Sequence, residues 1–226
     1  MDANELAAKV ADANGKSEIS LFIVEKGAQG FQIGRKEDKT GARGIASCPL
    51  FFDGVVVPAQ NRLGAGGANG FKIVMEGFNQ SRPIIAGRGI GPAQGRNDLA
   101  IESIQGRSAF GQPVGEFQGV RWMLADMAMQ TEAARQLVYR AAAMVDAGIG
   151  GGEVAPVAAM AKCFATVVAM RVATDAVQLF GAAGISAEYP INRYFRDAKV
   201  LQIVEGTNQI QRNIVADALV GRPGRR

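Results

Sequence analysis

A carboxylate followed by a glycine and a threonine is the feature of this chain best suited to proton transfer. Glu205, Gly206 and Thr207 precede a segment with helical spacing, so we expect Glu205 to lie on a turn just ahead of a helix. Glycine lets a ligand approach the backbone closely, and a helix start supplies free amide donors. A carboxylate there can act as a general base, but the helix dipole and helix capping favour the same residue types. Spacing alone leaves both interpretations open.

The absence of histidine from all 226 residues restricts the chemistry further. Histidine metal sites, Ser–His and Cys–His nucleophile pairs and histidine acid–base catalysis are excluded. Cys48 and Cys163 lie far apart without CxxC spacing, which argues against a disulfide framework or a zinc ribbon, so both are expected to be small buried residues. We therefore expect no metal site, and we expect a carboxylate to carry any proton transfer.

Composition and charge indicate a globular protein inside the cell. The chain is 48% hydrophobic and 20% charged, with a net charge of +4. Arginines at 222, 225 and 226 lie among glycine and proline without interleaved aromatics, which favours a solvated terminus over a nucleic-acid contact. No run of about 18 apolar residues exists, and residues 1–4 lack the plan of a secretory signal. We expect no membrane span and a cytoplasmic location.

The residues up to position 63 predict part of an antiparallel β-domain. Apolar runs bounded by turn residues predict strands at residues 19–24, 31–33, 50–52 and 55–57. Asp53 and Gly54, between the last two runs, are typical of a hairpin turn. The opening stretch, residues 1–14, has Leu6 and Val10 at helical spacing, so a short helix or a loop is expected there.

From residue 64 to residue 226 the hydrophobic period changes to about 3.6, which predicts a second, helical domain. We expect helices at about residues 71–104, 120–145, 154–179 and 207–219, the first of them interrupted near Pro83. The stripe from Val120 to Val145 is typical of a bundle seam rather than a cofactor site. The fold class is therefore mainly α: a four-helix up-and-down bundle preceded by a partial antiparallel β-domain.

Several motifs make the chain resemble the acyl-CoA dehydrogenase family. The signature consists of RDA at residues 196–198, EGT at 205–207 and QIQR at 209–212, and further agreement comes from RSAFG at 107–111, LADMA at 124–128 and QLFG at 178–181. A chance match to so many fixed positions is improbable. The resemblance covers almost all of residues 17–220.

The resemblance implies a flavin-dependent oxidation of an acyl-CoA thioester, a reaction on CH–CH groups in acyl-CoA metabolism. In the family, the residue that matches Glu205 removes the α-proton while the β-hydrogen leaves as hydride to FAD. Some members place the base on an earlier helix, at the position that matches Ser81, and serine there favours Glu205 as the base. A carboxylate needs burial and nearby hydrogen-bond donors for this work.

Family positions that contact FAD have counterparts in several segments. The resemblance implies that Arg107, Phe110, Phe117 and Gln118 contact the adenine and pyrophosphate part, Gln178 and Gly181 the adenosine end of a flavin held by the neighbouring subunit, and Thr207 and Gln209 another part of the cofactor. The planar fork of an arginine suits a diphosphate. Ala182 stands where relatives commonly have a second glycine, so its side chain limits close approach of a ligand.

Substrate and partners follow from the same resemblance. Arg82 matches a family arginine near the substrate, Asn79 stands where relatives often have an acidic residue near CoA, and Gly206 adjoins the base. Val204 replaces a tyrosine found in some relatives, which leaves the acyl chain length open. The expected partners are an acyl-CoA, an electron-transferring flavoprotein and further copies of the chain in a homodimer or tetramer.

A complete family member also has an N-terminal helical domain and earlier β-strands, for which this sequence has no counterpart. The chain is therefore expected to be a partial enzyme, or to combine with a second polypeptide that supplies the rest. Two alternatives remain open: a non-catalytic helical subunit that serves assembly, and an acyl-CoA oxidase that passes electrons to oxygen.

Overall fold

The computed structural model describes residues 3–11, 17–64 and 70–224. Of these residues, 62% are helical, which confirms the mainly α fold class. Contact density divides it into two compact units, Met1–Lys39 with Arg43–Phe78 and Thr40–Ala42 with Asn79–Arg226. The boundary between domains at residues 63 and 64 stays a prediction, because compact units and evolutionary domains need not coincide.

The first unit contains two antiparallel sheets. Its strands are β1 (Ala3–Ala11), β2 (Ser17–Glu25), β3 (Phe31–Ile33), β4 (Leu50–Phe52) and β5 (Arg62–Leu63). One sheet has the order β1-β2-β5, and β3 pairs with β4 in the other. Leu21 and Val24 of β2 are buried, while Phe31 and Phe52 stack across the second sheet with ring centroids 5.0 Å apart. Three of the four predicted strands are thus confirmed.

The expectation of a helix or loop in the opening stretch is wrong for residues 3–11, which form β1; its remaining residues up to position 14 lie outside the described part. In the register with β2, Leu6 lies opposite Phe22 and Val10 opposite Glu18. A spacing of four is helical, but it is also an even number, so it places both side chains on one face of a strand. Pairing with β2 selects the strand over the helix.

The predicted hairpin at Asp53 and Gly54 is also wrong. Residues 55–57 form no strand, and β4 pairs instead with the earlier β3. The Asp53 amide donates to the Gly30 carbonyl at 3.0 Å, which extends that pairing beyond the end of β4. Asp53 and Gly54 therefore end β4, but the residues that follow them do not pair with β4.

The second unit is built from long helices. The helices of the chain are α1 (Gly70–Gly106), α2 (Gln118–Asp146), α3 (Gly151–Phe180), α4 (Ala182–Ile185), α5 (Pro190–Leu201) and α6 (Asn208–Val220). The four predicted helices are confirmed as α1, α2, α3 and α6, whereas α4 and α5 were not predicted. The expected interruption is wrong, because α1 continues through both Pro83 and Pro92. Burial of Pro83 against the bundle offsets the hydrogen bond that a proline removes.

Helix α3 is the centre of the bundle and packs against α2, α5 and α6. The buried face of α2 consists of Met127, Thr131, Ala134, Val138 and Ala141, which confirms the predicted seam. By length and mean hydropathy (1.5) α3 would also suit a membrane span, but 56% of its most apolar window is buried inside the protein, as in the core helix of a bundle. The expectation of no membrane span stays a prediction.

Both cysteines are free and only half-buried, so the expectation of full burial is wrong. Cys163 lies on α3 beside an apolar groove of about 480 Å³ that α2, α3 and α6 line. Its thiol is within 3.7 Å of the Asn208 carbonyl. The packing of α6 against α3 therefore leaves Cys163 partly exposed at this groove.

Replacing Met127 by alanine tests the seam of α2. Met127 is 1% exposed, whereas Met129 on the same helix is 62% exposed. We expect Met127→Ala to lower the free energy of unfolding by about 2–5 kcal/mol, because it leaves a cavity in the core. Met129→Ala should change it by less than about 0.5 kcal/mol. Denaturant unfolding measures both, and equal losses would contradict this packing.

Candidate active site

The turn between α5 and α6 presents Glu205 in an unusual backbone conformation. Glu205 has a φ of 57° and Gly206 a φ of 85°, so two successive residues are left-handed. The conformation costs a non-glycine residue about 1–2 kcal/mol. Thr207 then caps α6, since its hydroxyl oxygen accepts from the Ile210 amide at 3.4 Å. The predicted placement of a carboxylate on a turn ahead of a helix is confirmed.

Buried side chains hold this turn through its carbonyl groups. The Gln211 amide donates to the carbonyls of Glu205 (3.2 Å) and Gly206 (2.9 Å). From α3, the Lys162 ammonium donates to the Gly206 carbonyl (2.8 Å) and to Asn208 Oδ1 (2.9 Å). These hydrogen bonds offset the cost of the left-handed backbone.

The carboxylate itself accepts a hydrogen bond from α1. Ser81 Oγ donates to Glu205 Oε2 at 2.6 Å, and both side chains are half-buried. Ser81 is the position at which some relatives place their base, so the two alternative base positions adjoin each other here. A donor of this kind orients a carboxylate, and two carboxylate oxygens have further lone pairs for a reacting group.

Two cationic side chains lie near the carboxylate. Arg82 is only 3% exposed, and burial lowers the pKa of its guanidinium below its ordinary value, while attraction to Glu205 acts in the opposite direction. Burial also lowers the pKa of the Lys162 ammonium from 10.5 to about 8; the Cys163 thiol and Glu205 oppose this, and Arg82 adds to it. Two cationic side chains with little solvent exposure therefore lie close to the turn.

The residues predicted to bind substrate lie in this same cluster. Arg82 Nη1 donates to Asn79 Oδ1 at 3.4 Å. A Cβ added to Gly206 would lie 4.0 Å from Arg82 Nη2. Gln209, on the first turn of α6, is exposed. The structure thus brings Asn79, Arg82 and Gly206 close to Glu205, and their contact with substrate stays a prediction.

A second cluster forms where the end of α1 meets the end of α3. Arg107 Nη1 donates to the Phe180 carbonyl at 3.3 Å. The next residue, Gly181, has a φ of 63°, and a Cβ there would lie 3.0 Å from the same nitrogen. Arg107 is exposed, as are Gln178 and Ala182 on either side of the glycine. Sequence positions 107 and 178–182, predicted separately to bind cofactor, therefore form one patch.

An aromatic pair extends this patch. Phe110 lies between β6 (Ser108–Ala109) and β7 (Gln112–Pro113), has a φ of 54° and is 97% exposed. Its ring meets that of Phe117 edge-on, with centroids 6.2 Å apart. Gln118, the first residue of α2, is exposed beside them. An exposed ring next to an exposed guanidinium fits a ligand with both an aromatic base and a diphosphate.

The two clusters lie along one helix, the first near its middle and the second at its C-terminal end. Lys162 and Gln178 are both on α3, and at 1.5 Å per residue their separation corresponds to roughly 24 Å along its axis. Side chains of the two clusters therefore cannot both contact the same small group. This separation fits the implication that Gln178 and Gly181 contact the flavin of a neighbouring subunit.

Sequence reasoning did not select Lys162, although a signal was present. The lysine stands among alanines and valines in a helix with 15 buried residues. A charged residue on an otherwise apolar stretch is rarely fully buried unless it is paired. Among residues 3–11, 17–64 and 70–224, no group of three or more His, Cys, Asp or Glu side chains is placed to hold a metal ion.

The fold and the site define a class: a helical-bundle domain that presents a carboxylate on a turn between two helices, with a separate patch suited to a dinucleotide. The model of the acyl-CoA dehydrogenase C-terminal domain matches residues 68–220. The chain belongs to the acyl-CoA dehydrogenase family.

Individual relatives agree with this assignment. The chain is 45% identical over 206 residues to the probable acyl-CoA dehydrogenase fadE25 of Mycobacterium leprae, covering 91% of this chain and 52% of that protein. Butyryl-CoA dehydrogenase from Megasphaera elsdenii has a similar structure, with a TM-score of 0.90, 43% identity and coverage of 96% and 56%. A chain in a structure described as the electron transferring flavoprotein of Acidaminococcus fermentans has a TM-score of 0.91, 42% identity and coverage of 98% and 57%. The chain spans about half the length of the curated relatives it matches.

Adding a methyl group at Gly206 tests the turn. A Cβ there would lie 2.8 Å from Gln211 Nε2, on a residue with a φ of 85°. We expect Gly206→Ala to lower the free energy of unfolding by about 1–3 kcal/mol. Gly95→Ala is the control, because a Cβ at this helical position meets no atom within 4 Å. The control should be neutral or stabilising by up to about 1 kcal/mol in thermal unfolding. Similar effects of both changes would contradict the turn geometry.

Proposed function

We propose that this chain carries the catalytic base of an FAD-dependent acyl-CoA dehydrogenase, and that Glu205 is that base. The observation that carries the proposal is the Glu205 carboxylate itself, half-buried on a left-handed turn that hydrogen bonds hold in place. Membership of the family gives this geometry its chemical meaning. The chain's share of the whole enzyme is the helical domain together with part of a β-domain.

The reaction removes two hydrogens from adjacent carbons of an acyl-CoA. The Glu205 carboxylate takes the proton from the carbon next to the thioester, and the electron pair of that C–H bond forms the new double bond as the β-carbon gives up a hydride. Bound FAD would accept the hydride. Ser81 Oγ donates a hydrogen bond to the carboxylate and orients it toward the substrate.

We assign cofactor binding to the patch at the ends of α1 and α3. The exposed Arg107 guanidinium suits a diphosphate, the exposed Phe110 ring suits an adenine, and Gly181 keeps the surface open beside Arg107. Thr207 and Gln209 lie instead beside the base, where another part of a cofactor can be held. Since α3 keeps the two regions roughly 24 Å apart, a homodimer or tetramer would allow the cofactors of two subunits to contact one region each.

The intact turn favours catalysis over a purely structural role. A left-handed glutamate is strained, and a helical subunit that served only assembly would have no use for it. The similarity to a chain in the Acidaminococcus fermentans flavoprotein structure supports an electron-transferring flavoprotein as the acceptor of electrons. We also propose that a second polypeptide supplies the remaining half of the enzyme, and that the protein is located in the cytoplasm.

Replacing the base tests this function. We expect Glu205→Gln to slow reduction of the flavin by an acyl-CoA by roughly 100-fold or more, because an amide cannot accept the proton. Glu188→Gln, at an exposed glutamate between α4 and α5, is the matched control and should react like the unaltered protein. The absorbance of FAD supplied to the purified protein is recorded before and after substrate is added. Bleaching of Glu205→Gln at the normal rate would remove the mechanism, and peroxide formation without an added acceptor would indicate an oxidase.

The affinity for FAD tests the patch that contains Arg107. We expect Arg107→Lys to weaken FAD binding roughly 10-fold, because lysine cannot present two parallel donors to a diphosphate. Arg140→Lys, at an exposed position on α2, serves as the control with unchanged affinity. Titration of the protein with FAD, followed by flavin fluorescence, gives both dissociation constants. Equal affinities of the two variants would place the diphosphate elsewhere.

A further inference from the structure

Lys162 is a buried cation for which the proposed chemistry has no direct use. It lies near the middle of α3, and its side chain is 0% exposed. Burial of an ammonium group is costly unless hydrogen bonds or opposite charges replace its water. The partners within hydrogen-bond distance are oxygens of the peptide and amide type, at Gly206 and Asn208. A core position of this kind is normally filled by an apolar residue.

The hydrogen bonds of Lys162 all lead to the turn that carries Glu205. Its ammonium donates to the Gly206 carbonyl and to Asn208 Oδ1. Asn208 Nδ2 donates to Thr166 Oγ1 at 3.0 Å, and that hydroxyl donates to the Lys162 carbonyl at 2.8 Å. This closed ring of hydrogen bonds ties the first residue of α6 to one turn of α3. The left-handed Glu205 directly precedes Gly206, the first of the two residues that the Lys162 ammonium binds.

We propose that Lys162 is a positioning residue, which holds the Gly206 carbonyl and Asn208 so that the strained backbone of Glu205 keeps its carboxylate at the substrate. The geometric part of this proposal stands on contacts of the chain itself, and its consequence for catalysis rests on the proposed function. Gln211 also donates to the Gly206 carbonyl, and to that of Glu205, but it belongs to α6, the helix that follows the turn directly. Lys162 is the anchor to a different helix.

A general role in bundle stability makes a different prediction from a local role at the turn. Arg96 offers the comparison, because it is also a buried cation that donates to carbonyls of other helices, Ala169 (2.9 Å) and Tyr194 (3.0 Å). Burial lowers the pKa of both cations, to about 8 for Lys162 and about 10 for Arg96. The two residues differ in that Arg96 binds helices α3 and α5 away from the turn.

Hydrogen exchange of the backbone amides separates the two roles without reference to activity. We expect Lys162→Met to speed exchange in residues 205–211 roughly 10- to 100-fold, because loss of a charge-assisted hydrogen bond opens the turn. Arg96→Met should leave the ratio of exchange in this segment to that in the rest of the bundle unchanged. Lys162→Gln, which keeps a donor without the charge, should give an intermediate effect and serves if Lys162→Met does not fold. Exchange in residues 205–211 that rises only as much as elsewhere, in both variants at Lys162, would overturn the proposal.

Kinetics of the FAD-loaded protein gives the second readout. Displacement of the base should lower kcat at least roughly 10-fold in Lys162→Met while KM for the acyl-CoA changes less than about threefold. Arg96→Met should change neither kcat nor KM once the rates are corrected for the fraction of protein that is folded. A rise in KM with unchanged kcat would also contradict positioning of the base.

The two proposals fail in distinguishable ways. If Glu205→Gln retains normal flavin reduction while Lys162→Met still opens residues 205–211, then Glu205 is not the base but Lys162 does hold the turn. If Glu205→Gln is inactive while the turn in both Lys162 variants exchanges as in the unaltered protein, the base stands and the role of Lys162 falls.

Discussion

Two carbonyl groups in the turn between α5 and α6 accept hydrogen bonds from side chains buried in the bundle, and the position of Glu205 depends on them. A φ of 57° is unfavourable for a glutamate, so other contacts must stabilise this conformation. Gln211 and Lys162 reach the turn from α6 and α3, and Ser81 reaches the carboxylate from α1. The Glu205 carboxylate is therefore positioned by contacts from three helices, α1, α3 and α6.

Helix α3 relates the two functional regions. Lys162, near its middle, donates to the Gly206 carbonyl of the turn, and the Phe180 carbonyl at its end accepts from Arg107. Because both regions adjoin this one helix, the separation between Lys162 and Gln178 stays at roughly 24 Å along its axis. Alanines packed along α3 allow neighbouring helices to approach closely, which explains how so long an element is buried along much of its length.

Errors in the expectations from sequence share a physical cause. Leu6 and Val10 are compatible with a helix and with a strand, and only pairing with β2 selects the strand. Asp53 and Gly54 are suited to a hairpin, yet β4 had a partner in β3 already. Pro83 weakens a helix locally, but the bundle packs around it and the helix continues. In each case, contacts distant in the sequence outweighed a local preference.

The sequence by itself determined the long helices, the order of the motifs and the placement of a carboxylate ahead of a helix, because hydrophobic period and capping residues act between near neighbours in the chain. It also carried the family signature. Only the tertiary structure decided that Ser81 meets Glu205 across 124 positions, that Arg107 adjoins Gly181 and that Lys162 is buried beneath the turn. Such contacts depend on how the helices pack against each other, which no local pattern specifies.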